Sequence, residues 1–363
     1  MKLAIVHDFL NQYGGAEKTL EALHELYTDA PVFTSILLPR RLPPAFSSWD
    51  IRVSFLQRLP FLEKHFKKYL LLYPRAMERF DLSAFDAVLS SSSAFAKGVR
   101  ARPGALHVCY CYTPMRFVWD SAHYLAKERI PFFYRPFLKS ALSYLKEWDL
   151  RTIGSVTRFI AISRHIQARI RAAYGRWSEV IYPPVETSRF LVSQSRDDYF
   201  LIVSRLNAYK NIDMAVQAFN QWGRPLVVVG EGPRRAALQR AAKKNVTFLG
   251  RVPADELVRL YSRCRAFVFP GSEDFGIAPV EAMASGRPVI ALAAGGALET
   301  VVPGETGVFF EKPEVDSLLQ VLRDFENRAF DSARIRRHAE KFDKAVFKDK
   351  IAAFLKKRLN AEC

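Results

Sequence analysis

Residues 269–296 read FPGSEDFGIAPVEAMASGRPVIALAAGG. An apolar run closes at Phe269-Pro270 and a polar loop covers 271–274. The pattern predicts a helix starting near Ala278-Pro279, with proline in the first turn, and stopping at Gly286. The amides of Phe275, Gly276 and Ile277 then form a helix N-terminus, whose N–H groups without intrahelical acceptors favour an anion. Gly276 lets a phosphate or a sugar come close to the main chain. Glu273 precedes these amides and suits hydrogen bonds from sugar hydroxyls. Glu281, inside the helix, suits the paired hydroxyls of a ribose. The plainer reading is one exposed glutamate beside an incidental acidic loop, and the density of matched features weighs against it.

A second cluster is Arg205 with Lys210, five residues apart after the apolar run 200–203. Both can reach one ligand from a strand-to-helix loop. Two cations there suit a diphosphate and would stabilise the charge that grows on it as it leaves. Alone such a pair is ordinary solvated surface; with the acidic loop it makes a site. Gly14-Gly15 permits close approach of a ligand or of another domain, or is a plain tight turn. Gly230 and the turn Gly250-Arg251-Val252 lie where a base and ribose could rest, and could equally be turns only. No complete G-x-G-x-x-G and no Walker lysine motif is present.

These residues need strands to carry them. Residues 3–6 read as a strand, followed by the glycine turn and a helix over 16–27. Further strands are expected at 32–37, 87–90, 106–112, 159–162 and 179–181, with a helix at 164–174. Tyr182-Pro183-Pro184 is rigid and non-helical, and a polar stretch runs over 186–198. A second series begins at 200–203 and continues at 226–229, 246–249, 266–269 and 289–291. Short β-branched runs of this kind are buried parallel strands. The expected architecture is α/β: two doubly wound, Rossmann-like domains with parallel sheets facing across a cleft, ligands binding at the carboxyl ends of the strands. The domains are placed at 1–185 (acceptor side) and 186–343 (nucleotide side). A lysine-rich amphipathic helix over 344–363 is expected to pack back towards the first domain.

A chain of 363 residues suits two domains. Its net charge of +17 favours phosphorylated ligands, anionic membrane or nucleic acid without choosing among them. The excess is uneven: residues 1–190 carry 27 Lys+Arg against 16 Asp+Glu, the rest 27 against 21. The first half is therefore the one expected to face an anionic surface. Two of its stretches, 55–73 and 132–139, interleave bulky apolar side chains with Lys and Arg, the composition of an interfacial membrane contact. The alternative is apolar residues facing the core while the lysines are solvated. Cys109 and Cys111 share one face of a strand, which suits packing better than a metal site. With Cys264 and Cys363 they are the only cysteines, a scarcity that fits a reducing cytosol. No secretory leader and no spanning apolar stretch is read, so a soluble or peripheral protein is expected.

Together these residues resemble glycosyltransferase family 4, the group 1 transferases of GT-B fold. Glu273 and Glu281 fit its E-x-x-x-x-x-x-x-E element, Arg205 and Lys210 its diphosphate-binding pair, and Gly14-Gly15 with Ala16-Glu17-Lys18 its glycine loop. Tyr112-Thr113-Pro114-Met115-Arg116, Trp119-Asp120 and 181–185 resemble the WbaZ-like mannosyltransferases of surface polysaccharide assembly. Tyr112 stands where many members carry a histidine near the sugar; Tyr112 and Arg116 are thus candidates for the acceptor or sugar side. His107, nearby, is expected to pack on its strand. The resemblance implies a nucleotide-sugar donor, GDP-mannose first and UDP-hexoses second, and no cofactor or metal. It implies retention of anomeric configuration and a lipid-linked or oligosaccharide acceptor at the inner face of the cytoplasmic membrane, with no nucleic-acid partner. Catalysis would rest on Glu273, Arg205 and Lys210.

Two other classes compete. A GT-B epimerase would need acid and base groups around the sugar's C2, and none is identified; a phosphorylase would be far longer and carry a pyridoxal lysine. A basic non-enzymatic binder of nucleic acid or membrane is allowed by the aromatic–basic interleaving, but no nucleic-acid motif accompanies it.

Overall fold

Strands covered on both faces are built from short runs of Val, Ile, Leu, Phe and Ala. The computed structural model describes residues 2–120 and 135–362 and contains two sets of such strands. They fall into two units: residues up to Tyr182 together with those from Lys348, and Pro183–Phe347.

The first unit holds β1 (Leu3–His7), β2 (Val32–Thr34), β3 (Ile51–Val53), β4 (Ala87–Ser92), β5 (Leu106–Cys111), β6 (Arg158–Ala161) and β7 (Ser178–Val180). They form one parallel sheet in the order β3-β2-β1-β4-β5-β6-β7. Every residue of β1, β4 and β5 is buried. Leu145 and Trp148 of the helix Arg135–Thr152 pack with Phe95 and Met77 in this unit's core. β2 stops at Thr34, three residues short of the expected end, because Ser35 turns its N–H to the Asp8 carbonyl at 3.3 Å. β3 was not expected; it is a three-residue edge strand with no buried residue. The helix Lys344–Glu362 joins this unit from Lys348 on. It buries Ile351, Phe354 and Leu355, and the Lys348 ammonium lies 3.4 Å from Glu25.

The second unit holds β8 (Phe200–Val203), β9 (Leu226–Val229), β10 (Val246–Gly250), β11 (Ala266–Phe269), β12 (Val289–Leu292) and β13 (Gly307–Phe310). Its parallel sheet runs β10-β9-β8-β11-β12-β13. Phe200, Phe219, Leu322 and Phe325 pack together in its core. β13, an edge strand, is the one member the sequence reading left out.

In each sheet the chain winds one way from its first strand and then the other, so β1/β4 and β8/β11 are switch points. Loops leaving the carboxyl ends of such neighbours open a crevice in which ligands bind. Cys109, Cys111 and Cys264 are buried free thiols, and burial pushes the Cys264 thiol up to about 12. Residues 132–134 of the stretch 132–139, and Cys363, lie outside the described residues.

Candidate functional site

The chain leaves β8 through a loop that carries both candidate cations. Leu206 is buried and anchors it, its N–H reaching the Glu231 carbonyl at 2.9 Å. Arg205 is exposed on this loop. A 3-10 turn over Ala208–Lys210 follows, and Asn211, at φ 53, starts the helix Ile212–Trp222. The Asn211 side chain donates to the Pro270 carbonyl at 3.2 Å, which ties this loop to the one leaving β11. Lys210 is buried, and its ammonium pairs with the Glu273 carboxylate. Gly271 makes the approach possible: a Cβ there would stand 3.0 Å from the Lys210 Cα and 3.1 Å from its carbonyl oxygen. Cation and carboxylate, 63 residues apart in sequence, meet because β8 pairs with β11.

The helix after β11 runs Ile277–Ala284, one turn residue earlier than expected. Gly276 precedes it at φ 88, a left-handed conformation that favours glycine, and a Cβ there would lie 3.2 Å from the Phe269 ring. No side chain caps this helix from Gly276. Pro279 has no N–H, and the N–H groups at the helix start have no intrahelical acceptor. Phe275 turns its ring into the interior, edge-on to Phe342 with centroids 5.6 Å apart. Beneath lies a floor that sequence reasoning missed. The Gly296 N–H donates to the Glu273 carbonyl at 2.8 Å. A Cβ on Gly295 would sit 2.3 Å from that oxygen, and one on Gly296 2.3 Å from the Phe275 Cα. The pair Gly295-Gly296 after β12 was the available signal.

Glu281 lies one turn into the helix and is buried. Its Oε2 accepts a hydrogen bond from the Tyr261 hydroxyl at 2.9 Å. Tyr261, from the helix Ala254–Arg263, is wholly buried, with Phe190 edge-on at 5.6 Å. Burial first, and the Glu281 charge second, push the Tyr261 phenol well above its ordinary pKa. It therefore stays a donor. No sequence motif pointed to Tyr261.

Gly230 has a reason of its own. At φ 126, its Cβ position would be 2.0 Å from the Ser204 carbonyl oxygen. Gly232 likewise meets Leu206 main chain at 2.6 Å. The glycines after β9 let the Arg205 loop pack against them. Exposed Arg251 and half-buried Val252 follow β10, two strands from β8, or about 10 Å at the usual strand spacing. The structure thus gathers Arg205, Lys210, Glu273 and the 275–277 main chain at adjoining strand ends and sets Arg251 and Val252 further out.

In the first unit, Gly14 caps the helix Gly15–Leu26 and donates its N–H to Glu17 Oε2 at 2.8 Å. Glu17 is buried, with Oε1 4.0 Å from His7 Nε2. His7 Nδ1 lies 3.0 Å from Ser91 Oγ, which lies 2.9 Å from the Tyr112 hydroxyl. That hydroxyl donates to the Ala16 carbonyl at 3.0 Å. Tyr112 is buried, and desolvation raises its phenol above the ordinary value. Its polar atom holds the turn that follows Gly14-Gly15. Arg116 is exposed at the start of the short helix Arg116–Trp119. His107 packs on β5 as expected, Nε2 2.9 Å from Ser90 Oγ and Nδ1 3.0 Å from the Ser155 carbonyl. Burial lowers its pKa to about 4.

Comparison with known proteins places the fold and the family. Residues 186–342 match the group 1 glycosyl transferases and residues 13–189 match glycosyltransferase family 4. A GDP-mannose-dependent alpha-(1-6)-phosphatidylinositol monomannoside mannosyltransferase of Mycolicibacterium smegmatis is 31% identical over 208 residues, 48% of this chain and 54% of that protein. The O-antigen chain mannosyltransferase RfbU of Salmonella typhimurium is 35% identical over 143 residues, 36% of this chain and 40% of that one. The chain thus spans about half the length of the curated relatives it matches. Among solved structures, Anabaena HepE in complex with UDP and glucose superposes with a TM-score of 0.71 at 19% identity, covering 98% of this chain and 99% of that one. WaaG, a glycosyltransferase involved in lipopolysaccharide biosynthesis, gives 0.66 at 17%, covering 97% and 99%. These likenesses carry the GT-B fold, and with the two adjoining domain matches they make this chain a member of the family 4, group 1 glycosyltransferases.

Proposed function

We propose that the protein is a retaining hexosyltransferase that moves mannose from GDP-mannose to a lipid-linked saccharide in surface polysaccharide assembly, working peripherally at the inner face of the cytoplasmic membrane. The observation that carries the transferase reading is the Lys210–Glu273 pair, with Arg205 on the same loop as Lys210, beside a helix start that follows Gly276 at the β8/β11 switch point. A nucleotide diphosphate fits that chemistry. Its phosphates take the 275–277 amides and the two cations, and its ribose takes Glu281. Glu273 holds the Lys210 ammonium in place and offers carboxylate to sugar hydroxyls.

In the step itself the bond from the sugar's C1 to the diphosphate oxygen breaks as the acceptor oxygen bonds to C1 from the same face. The acceptor proton passes to a phosphate oxygen. The chain's part is orientation and stabilisation of charge on the leaving diphosphate. Two cations can neutralise that charge, so no metal or cofactor is assigned to the step. The names of the mannosyltransferase relatives favour GDP-mannose. Tyr112, its hydroxyl turned to Ala16, acts by holding the glycine turn, and exposed Arg116 is assigned to the acceptor side. The basic excess of the first half supports the membrane partnership; among the described residues no helix is long and apolar enough to cross a bilayer.

The test is a thermal-shift panel of GDP-, UDP-, dTDP- and ADP-sugars on the wild type, Glu281→Ala and Arg205→Ala. A ligand present at about a hundred times its Kd stabilises by about 2.7 kcal/mol. GDP-mannose is expected to raise Tm in the wild type and not in the variants. A shift with UDP-sugars alone replaces the donor, and no shift with any of them removes the transferase reading.

A further inference from the structure

Phe61 occupies a position that suits it on no local ground. Its backbone is left-handed, φ 53 and ψ 25, where a Cβ crowds the following carbonyl. It stands at the N-cap of the helix Leu62–His65 without a side-chain oxygen to offer the first N–H groups. Its ring is 77% exposed, while Leu62 beside it is buried. The other non-glycine residue with positive φ among those described is Asn211, whose short polar side chain tolerates it. An asparagine at 61 would satisfy both the backbone and the cap. Strain and exposure held at one bulky residue point to use rather than to folding.

The surroundings say what use. The turn is braced from behind: the Tyr69 hydroxyl donates to the Pro60 carbonyl at 2.7 Å, and the N–H groups of Lys64 and His65 reach the Phe61 carbonyl at 3.1 and 2.9 Å. The ring therefore projects from a fixed support. Arg58, Lys64, Lys67 and Lys68 are all exposed around it in sequence. The one carboxylate among them, Glu63, is engaged by Arg41 at 3.3 Å. Leu71 and Leu72 add apolar surface, at 37% and 38% exposure. An aromatic ring flanked by cations complements the boundary between anionic headgroups and acyl chains.

We propose that Phe61 is an interfacial wedge: its ring enters the headgroup–acyl boundary of an anionic bilayer while the four cations meet the lipid phosphates. The inference rests on the membrane partnership proposed above and assigns it to one side chain.

The experiment uses the full chain and vesicles of equal parts phosphatidylglycerol and phosphatidylcholine, with pure phosphatidylcholine as control. Co-sedimentation and Tm are read for the wild type and Phe61→Asn, and fluorescence quenching by brominated lipid for Phe61→Trp. Phe61→Asn is expected to raise Tm, because it relieves the backbone and caps the helix, and to lower partitioning about tenfold or more. Phe61→Trp is expected to bind and to be quenched beyond the wild-type tryptophans. Opposite signs in stability and binding are not what a structural ring would give. Unchanged partitioning in Phe61→Asn overturns the wedge, as does failure of the wild type to bind anionic vesicles, which would leave an acidic protein surface as the partner to seek. GDP-mannose binding in lipid-free buffer, unchanged by Phe61→Asn, separates the two readings. Nucleotide binding without vesicle binding sinks the wedge and the membrane partnership but leaves the transferase reading, and vesicle binding without nucleotide binding sinks the transferase reading alone.

Discussion

The two switch points share one architecture and are filled in opposite ways. At β1/β4 the main-chain N–H groups of Ser93, Ala94, Phe95 and Ala96 converge on the buried Asp8 carboxylate, at 2.5, 3.0, 2.7 and 2.6 Å, and the Ser93 hydroxyl joins them at 2.8 Å. That cradle would hold an anion, and the chain supplies one. At β8/β11 the helix Ile277–Ala284 starts from Gly276, which has no side chain to cap it. The Glu273 carboxylate, in the preceding loop, is turned to Lys210. An anion-binding feature satisfied from within is scaffold; a helix start that its own N-cap residue does not cap is, on the function proposed above, the one that takes the phosphate.

Removing the internal anion gives the largest effect. Asp8→Ala strands buried donors, at roughly 1–3 kcal/mol for each that finds no water. It should cost about 4 kcal/mol of stability in urea titration. In protein that still folds, nucleotide binding should survive. Loss of GDP binding in folded Asp8→Ala would break the contrast, because Asp8 would then belong to a ligand site. On the other side, Lys210→Ala should lower kcat/KM about 100-fold, with little change in stability. A fall in Tm like that of Asp8→Ala would make the Lys210–Glu273 pair a scaffold element as well.

A third effect separates the units by pH. His107 is buried neutral on β5, its pKa lowered to about 4 from 6.5. Between those values the unfolded chain binds a proton that the folded chain does not, so stability falls as pH drops through this window, by up to about 3 kcal/mol. His107→Gln should flatten that acid limb when unfolding is followed from pH 7 to pH 4. An unchanged limb would mean that other groups set it.

Much of this was legible locally. β8, β9 and β11 stand at their expected residues because each is a β-branched or aromatic run between turn signals, and the Gly276 turn followed from the strand, loop and proline around it. Of the four edge strands, β7 and β10 were read and β3 and β13 were missed: β3 buries none of its three residues and so carries no apolar run, and β13 opens on a glycine. The Asp8 cradle joins residues 85 to 88 apart, and the Gly295-Gly296 floor matters only because β12 lies beside β11. Such contacts come from sheet order, which no local pattern carries. Sequence reading placed Gly230 near a nucleotide; its tight fit against Ser204 needs the packed loop to be seen.

The smallest effect probes the site most finely. Glu281 is buried, and a buried carboxylate keeps its direction only through its partners. Tyr261 supplies one bond, from a hydroxyl that burial keeps protonated. Tyr261→Phe removes that bond and almost no volume, so the helix packing stays and the carboxylate loses its orientation. Nucleotide affinity should fall about five- to tenfold, near 1 kcal/mol for one such hydrogen bond, with kcat at saturating donor nearly unchanged. The loss should disappear when 2′,3′-dideoxy-GDP is compared between wild type and variant, since that ligand has no hydroxyls for Glu281 to hold. An equal loss with both ligands would show that Tyr261 supports the fold around the phosphates rather than the ribose carboxylate. The unit 2 site would then be preorganised from its helix start alone.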